Sequence, residues 1–268
     1  AWAAFLARTR VAHVEAGLRT HDKWSPFPEE INRRIAGVVA DLHFAPTDLA
    51  RQNLLREGIP EQNIVVTGNT VIDALLWASA LPFDLGALPL GASVWEPGKK
   101  WILVTAHRRE SFGQPLERTC EALRTLALEG KGQWEIVYPV HLNPRVREPV
   151  RRILQGTPHV HLLPPLDYLP LVHLMKRSDL VLTDSGGIQE EAPSLGKPVL
   201  VLRDVTERPE GVAAGAARLV GTDCGRIVEE ARRLLTDPAA YERMARVVNP
   251  YGDGKAAQRI ADRLLSHR

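Results

Sequence analysis

Glu15 closes a short β-branched run, and Glu29 and Glu30 follow Pro28 at the head of a helical pattern. Carboxylates brought together from a strand end and a helix start can act as general acid and general base, each proton affinity being set by its surroundings. Pro-Glu-Glu also opens helices with no chemistry attached, because proline suits the first helical position and acids suit the positive end of the dipole. Glu15 is harder to assign to packing, since a charge that ends a buried strand needs a partner or a task.

A second kind of chemistry is written in the segment 179-DLVLTDSGGIQEEAPSLGKPVLVL-202. A Leu/Val-rich strand runs into Ser185, Gly186 and Gly187, which open a helix. Glycines there let a ligand approach the backbone, and the free N–H groups of a first helical turn favour an anion such as a pyrophosphate. Ser185 adds a hydroxyl donor, and Glu191, one turn in, can accept both hydroxyls of a ribose. Glu190, about 100° around the helix, is not placed to do the same. The same residues also make an ordinary tight strand-to-helix turn.

Similar junctions follow other strands. His107, Arg108 and Arg109 cluster after the run 101-WILVT-105, where arginine's fork suits a diphosphate, unless these arginines pair with Glu110 or nearby carboxylates. His141 stands just past another strand. Arg208 lies on a loop after a strand, available either to a nucleotide or to Glu207 and Glu210. Gly252-Asp253-Gly254 has the look of a dinucleotide fingerprint, but no strand precedes it, so it reads as a loop before the last helix.

These residues need elements to hold them. Strands are expected over 11–15, 42–45, 63–67, 101–105, 134–138, 159–162, 179–183, 198–202 and 217–220. Helices are expected between them, for example over 29–39, 49–57, 116–128, 144–154, 169–176 and 227–235. The alternation predicts an α/β fold with parallel, doubly wound sheets. Residues 81–100, rich in proline and glycine, read as a linker. It separates a first domain, 1–95, from a second, 96–268, whose last helix is expected to pack back on the first. Six strands complete the second sheet, whereas three are too few for a parallel sheet covered on both faces, so the first domain reads as incomplete. The opening decapeptide reads as the end of an amphipathic helix and not as a signal peptide.

Composition narrows the partners. Thirty-four basic and 32 acidic residues, well mixed, leave a net charge of +2 and no footprint for nucleic acid or an anionic membrane. No apolar run approaches a membrane span. Cys120 and Cys224 are far apart and read as reduced thiols, which points to the cytoplasm. No metal-ligand cluster is present in the sequence.

Taken together, the segments 14-VEAGLRT-20, 25-SPFPEE-30 with Asn32 and Arg33, 105-TAHRRESFG-113, 138-YPVHLNP-144, the 183–210 region and 249-NPYGDG-254 closely resemble bacterial non-hydrolysing UDP-N-acetylglucosamine 2-epimerases. The resemblance covers nearly the whole chain. It implies two Rossmann-like domains of GT-B type with the nucleotide between them. It implies Glu15, Glu29 and His107 as catalytic residues, and Arg108, Ser185, Gly186, Gly187, Glu191 and Arg208 as contacts of UDP. It further implies an activator site using Glu29, Arg108 and His141, a homodimer, and UDP-N-acetylglucosamine and UDP as partners. No redox cofactor and no metal are implied, because such enzymes eliminate UDP and re-add it through 2-acetamidoglucal. Members of the family carry a further N-terminal stretch with a third catalytic acid, which has no counterpart here. Two other readings stay open: a hydrolysing epimerase that releases N-acetylmannosamine, and a UDP-binding module without turnover. A GT-B glycosyltransferase is less compatible with the paired glutamates.

Overall fold

A computed structural model of the chain describes residues 1–90 and 97–266. The chain divides into two compact units: Ala1–Leu76 with Glu207–Glu210 and Asn249–Arg268, and Trp77–Thr206 with Gly211–Val248. The domain boundary expected between residues 95 and 96 lies outside the described residues.

The first unit holds α1 (Trp2–Leu6), β1 (Ala12–Val14), α2 (Glu29–Val39), β2 (Leu42–Ala45), α3 (Asp48–Arg56) and β3 (Ile64–Val66), with α4 (Thr70–Ala80) starting in it. The three strands pair in parallel in the order β1-β2-β3, with His13 opposite His43 and Phe44 opposite Val65. Parallel pairing demands crossovers, which α2 and α3 supply. Every residue of β2 is buried, as a central parallel strand requires. Thr47 caps α3 by accepting from Ala50 N. Ala16, Ala45, Ala50, Leu54 and Ile64 form a small core. The decapeptide read as a helix end contains α1, which buries none of its residues.

The C-terminal helix α12 (Ala256–Leu265) belongs to this unit. Its first amides, Ala256 N and Ala257 N, donate to the two oxygens of Asp73 at 3.1 and 2.9 Å. A carboxylate at a helix start satisfies amides that have no intrahelical partner. The Gly-Asp-Gly segment is the loop before α12, as expected, and Asn69 N donates to Tyr251 O beside it at 2.7 Å.

The second unit contains β4 (Lys100–Thr105), α5 (Gln114–Gly130), β5 (Trp134–Pro139), α6 (Pro144–Leu154), β6 (Val160–Leu163), α7 (Tyr168–Arg177), β7 (Leu180–Thr183), α8 (Gly186–Ser194), β8 (Val199–Val201), α9 (Pro209–Ala214, which starts in the first unit), β9 (Ala217–Leu219), α10 (Cys224–Thr236) and α11 (Pro238–Ala245). Its sheet runs β6-β5-β4-β7-β8-β9, parallel throughout. Renumbered within the unit, this is the 3-2-1-4-5-6 order of a doubly wound sheet, and the order reverses between β4 and β7. Helix α6 buries an apolar stripe along one face. Val146, Val150 and Leu154 of α6 lie one turn apart and are fully buried. At about 1.5–3 kcal/mol for each large aliphatic side chain removed from water, such stripes hold the layers together.

All nine expected strands are present, with ends shifted by at most two residues. Helix α4, between β3 and β4, is weakly marked in the sequence for a physical reason. Ile72, Leu75 and Ala78 are buried while Leu76 and Trp77 are exposed, so apolar residues on both faces blur the helical period. Among the described residues no helix is long and apolar enough to cross a membrane.

Candidate active site

In the second unit the reversal point brings together two of the expected segments. Thr105 and Thr183 are paired at the carboxyl ends of β4 and β7, with their hydroxyl oxygens 2.6 Å apart. The chain then leaves β4 as Ala106-His107-Arg108 and β7 as Asp184-Ser185. Asp184 fastens the two exits: its Oδ2 accepts the backbone N–H of both His107 and Arg108 at 2.8 Å. Its Oδ1 is buried, makes no hydrogen bond and lies 3.9 Å from His107 Nδ1. Burial pushes the Asp184 carboxyl up, and the N–H of Arg108 and the His107 ring partly offset this. Burial pushes the His107 imidazole down, with Asp184 opposing.

His107 and His141 stack with ring centroids 5.4 Å apart and planes 12° from parallel. Position 141 is fixed locally, because His141 Nδ1 accepts Asn143 N at 3.0 Å and Asn143 in turn caps α6. The expected pairing of Arg108 or Arg109 with Glu110 is not what occupies that carboxylate: Glu110 accepts Arg203 Nε at 2.6 Å.

Ser185 is the N-cap residue of α8, and its side chain makes no capping hydrogen bond. Its carbonyl accepts Gln189 Nε2 at 3.1 Å, and Gln189 is held by Thr206 Oγ1 at 2.6 Å. The N-terminal turn, Gly186 and Gly187 included, is therefore braced from behind while its hydroxyl stays uncommitted to the cap. Glu191 is 6% exposed, and its Oε2 is buried without a hydrogen bond. Burial, with Glu190 adding to it, raises its carboxyl to about 7, although Tyr168 donates a hydrogen bond to it. A carboxylate left short of partners in this way is suited to accept donors from a ligand. Glu190 is also buried, at 1% exposure.

The first unit gathers the remaining residues. Glu15 follows β1 directly with φ of +62°, an uncommon region for a non-glycine residue. Asn69 Nδ2 and Arg208 Nη2 reach its Oε1 at 3.3 and 3.4 Å. Arg208 also donates from Nη1 to Glu207 Oε1 at 2.7 Å, so of the two acids flanking it in the loop, Glu207 is its partner. Glu210 accepts Thr47 Oγ1 at 2.5 Å. Glu29 and Glu30 part company. Glu30 is fully buried and accepts the N–H of Thr20 and His21, anchoring the loop before α2, while Glu29 stands exposed in the first turn. Arg33, one turn further along, is held below its usual range by burial and by Arg208, with Glu15 opposing. In β1, burial and the neighbouring His43 hold His13 down at about 4.

Sequence reading missed Asp184, Asn69 and Tyr168, whereas Glu207 had been named as a possible partner of Arg208. Asp184 carried the signal read at Glu15, an acid after a β-branched run, and only at Asp184 is that strand buried: β7 is buried throughout, whereas β1 is largely exposed, against expectation. Asn69 carried none, since its link to Glu15 spans 54 residues. Among the described residues no group of three or more His, Cys, Asp or Glu side chains is arranged to hold a metal ion.

Comparison with known proteins identifies the family. Residues 1–265 match the family described as UDP-N-acetylglucosamine 2-epimerase. The chain is 57% identical over 270 residues to the UDP-N-acetylglucosamine 2-epimerase of Escherichia coli strain K12, covering 99% of this chain and 72% of that one. It is 52% identical to the enzyme of the same name from Bacillus subtilis, over 99% of this chain and 68% of that one. A crystal structure of UDP-GlcNAc 2-epimerase from Neisseria meningitidis bound to UDP-GlcNAc superimposes with a TM-score of 0.93 at 47% identity, over 99% of this chain and 72% of that one. An α/β chain with two parallel sheets, this protein belongs to the UDP-N-acetylglucosamine 2-epimerase family.

Proposed function

We propose that this enzyme interconverts UDP-N-acetylglucosamine and UDP-N-acetylmannosamine by removing and restoring UDP, with 2-acetamidoglucal held between the two half-reactions. The observation that carries the reading is the meeting of β4 and β7 at the reversal point of the sheet. Ligands of doubly wound folds bind at that position, and here the start of α8 presents Ser185, Gly186 and Gly187 beside His107 and Arg108.

The chemistry follows from the sugar. Its C2–H is not acidic enough for direct abstraction by a carboxylate. Breaking the anomeric C1–O bond, with the electron pair leaving on the diphosphate, builds positive charge at C1 and acidifies C2–H. A carboxylate then takes the C2 proton and the C1=C2 bond forms. Protonation of the opposite face and return of the UDP oxygen to C1 give the manno epimer. The oxidation level is unchanged, so no hydride acceptor is required.

Each residue has a part in this reading. Donors already in place where charge develops are the most effective electrostatic catalysts, and His107, Arg108, Ser185 and the first amides of α8 meet the departing diphosphate. Glu191 accepts the ribose hydroxyls. Glu15 and Glu29 carry the proton transfers. Arg208 orients Glu15 and contacts the nucleotide. The stacking of His141 on His107 favours a second site for substrate acting as activator, with Arg108, His141 and Glu29 as its contacts. On the family resemblance we also expect a homodimer in the cytoplasm, and a monomeric mass by light scattering would remove the dimer.

The deciding experiment is turnover of UDP-N-acetylglucosamine in D2O followed by 1H and 31P NMR. Deuterium at C2 of a UDP-linked manno sugar is expected. Free N-acetylmannosamine with UDP would make the enzyme hydrolysing, and UDP binding without exchange would reduce it to a binding module. Initial rates that rise hyperbolically with substrate would dismiss the activator site.

A further inference from the structure

Asp184 has one oxygen with nothing to do. Its Oδ2 already takes two backbone amides, yet Oδ1 is equally buried and makes no hydrogen bond. Leaving a buried carboxylate oxygen unpaired costs more than a neutral hydrogen bond is worth, so such an atom calls for a donor. Three nearby hydroxyls have other partners. Tyr138, whose phenol lies close enough to feel the Asp184 charge, donates to Ala106 O at 2.6 Å. The Thr105 and Thr183 hydroxyls pair with each other, and Thr183 Oγ1 also accepts Ser185 N at 2.9 Å. What faces Oδ1 is Nδ1 of His107 at 3.9 Å, about an ångström beyond a charge-assisted hydrogen bond.

We propose that Asp184 is a positioning residue for His107: it holds the imidazole with its hydrogen on Nδ1, and so presents Nε2 to a diphosphate and supports the doubly protonated ring when one binds. This rests on the reading of the β4–β7 junction as the diphosphate site. The ordering is the familiar one in which a buried carboxylate fixes the tautomer of a working histidine. Among the described residues three charged or titratable groups act on the His107 ring: Asp184 from the end of β7, His141 stacked on it from the loop after β5, and Arg108 beside it. The last two disfavour the imidazolium and Asp184 favours it. Near pH 7.5 the ring is neutral in the free protein, its proton affinity lowered chiefly by partial desolvation although 43% of the side chain stays exposed, and the negative charge of a bound diphosphate tips it to the cation, so binding takes up a proton from solvent.

The substitution Asp184→Asn separates this role from simple anchoring. An amide oxygen still accepts the two backbone N–H groups, but the amide nitrogen then points a donor at Nδ1 and forces the hydrogen onto Nε2. Three measurements on the full chain decide: 15N NMR of the His107 ring, assigned with His107→Gln; UDP calorimetry in buffers of different ionisation enthalpy; and the double variant. The hydrogen is expected on Nδ1 in the native protein and on Nε2 in Asp184→Asn. UDP binding near pH 7.5 should take up a proton in the native protein and not in either single variant. Affinity for UDP should fall about tenfold in Asp184→Asn, as loss of one hydrogen bond to a charged group implies, and by less than a further twofold once His107 is already Gln. A native ring with its hydrogen on Nε2, or an undiminished Asp184→Asn effect in the His107→Gln background, would overturn the proposal and leave Asp184 as a backbone anchor. Should Asp184→Asn not fold, the native tautomer and proton uptake still decide. Should UDP not bind at all, the functional reading fails, while the tautomer, which needs no ligand, still tests Asp184.

Discussion

Nη2 of Arg208 lies 3.4 Å from Oε1 of Glu15, joining residues 193 positions apart in the chain. The contact is the outer arm of a fork whose inner arm holds Glu207, a carboxylate whose side chain is 1% exposed. A planar guanidinium can serve both acids at once, which an ammonium cannot.

Removing that fork therefore has a defined cost. Arg208→Ala takes one charge-assisted hydrogen bond from the buried Glu207 carboxylate, and such a bond is worth about 1.5–3 kcal/mol. Urea unfolding should register a loss of that order, with Arg208→Lys intermediate. Turnover should fall in Arg208→Ala as well, because Glu15 has then lost its Arg208 contact.

Glu29 is exposed at the start of α2 and Glu30 is buried beneath it, and the two should answer differently to the same change. Glu29→Gln is expected to leave stability and UDP affinity near native and to cut turnover by orders of magnitude. Glu30→Gln weakens the acceptors of Thr20 N and His21 N and should lower the melting temperature. Near-normal turnover of Glu29→Gln would take Glu29 out of the mechanism.

The raised carboxyl of Glu191 makes a prediction with a sign. Its proton affinity goes from 4.5 in the free side chain to about 7 in the fold. A group raised in this way contributes stability that is complete below the lower value and is lost as pH climbs through the upper one. The shift corresponds to on the order of 3 kcal/mol. Glu191→Gln, which never ionises, should thus match the native protein near pH 4 and be the more stable of the two above pH 7, by thermal melts across that range. UDP affinity should show the opposite preference, weaker in Glu191→Gln and most so above pH 7, because the ionised carboxylate is the better acceptor for ribose.

Gly17 is held by shape. It adopts φ of +90°, and a Cβ there would fall inside the carbonyl oxygen of Ala50 and 2.7 Å from its carbon. That backbone belongs to α3 and cannot step aside cheaply. Gly17→Ala should destabilise by more than about 3 kcal/mol, whereas Gly58→Ala, at φ of +85° with open space around it, should cost only the backbone strain, about 1 kcal/mol. Equal losses in the two variants would mean that contact with α3 is not what fixes Gly17.

The chain spelled out its elements and the ends of its strands. Leu- and Val-rich runs broken by Gly, Pro and Asp placed β4, β5 and β7, and the order of motifs carried the family. The switch at Ser185-Gly186-Gly187 was legible because glycine and serine at a strand-to-helix turn have a local, steric meaning. What the sequence left undecided was which charges meet. Arg208 was equally able to bind a nucleotide or to pair with an adjacent acid, and only the fold set it between Glu207 and Glu15. Glu29 and Glu30 were one motif until α2 buried one and exposed the other. Asp184 was an unremarked letter until β4 and β7 became neighbours and put His107 beside it. Local sequence fixes dihedral preferences and the apolar period, which act over a few residues. Electrostatic partnership depends on distances across chain separations that nothing local encodes, so tertiary structure alone decided it.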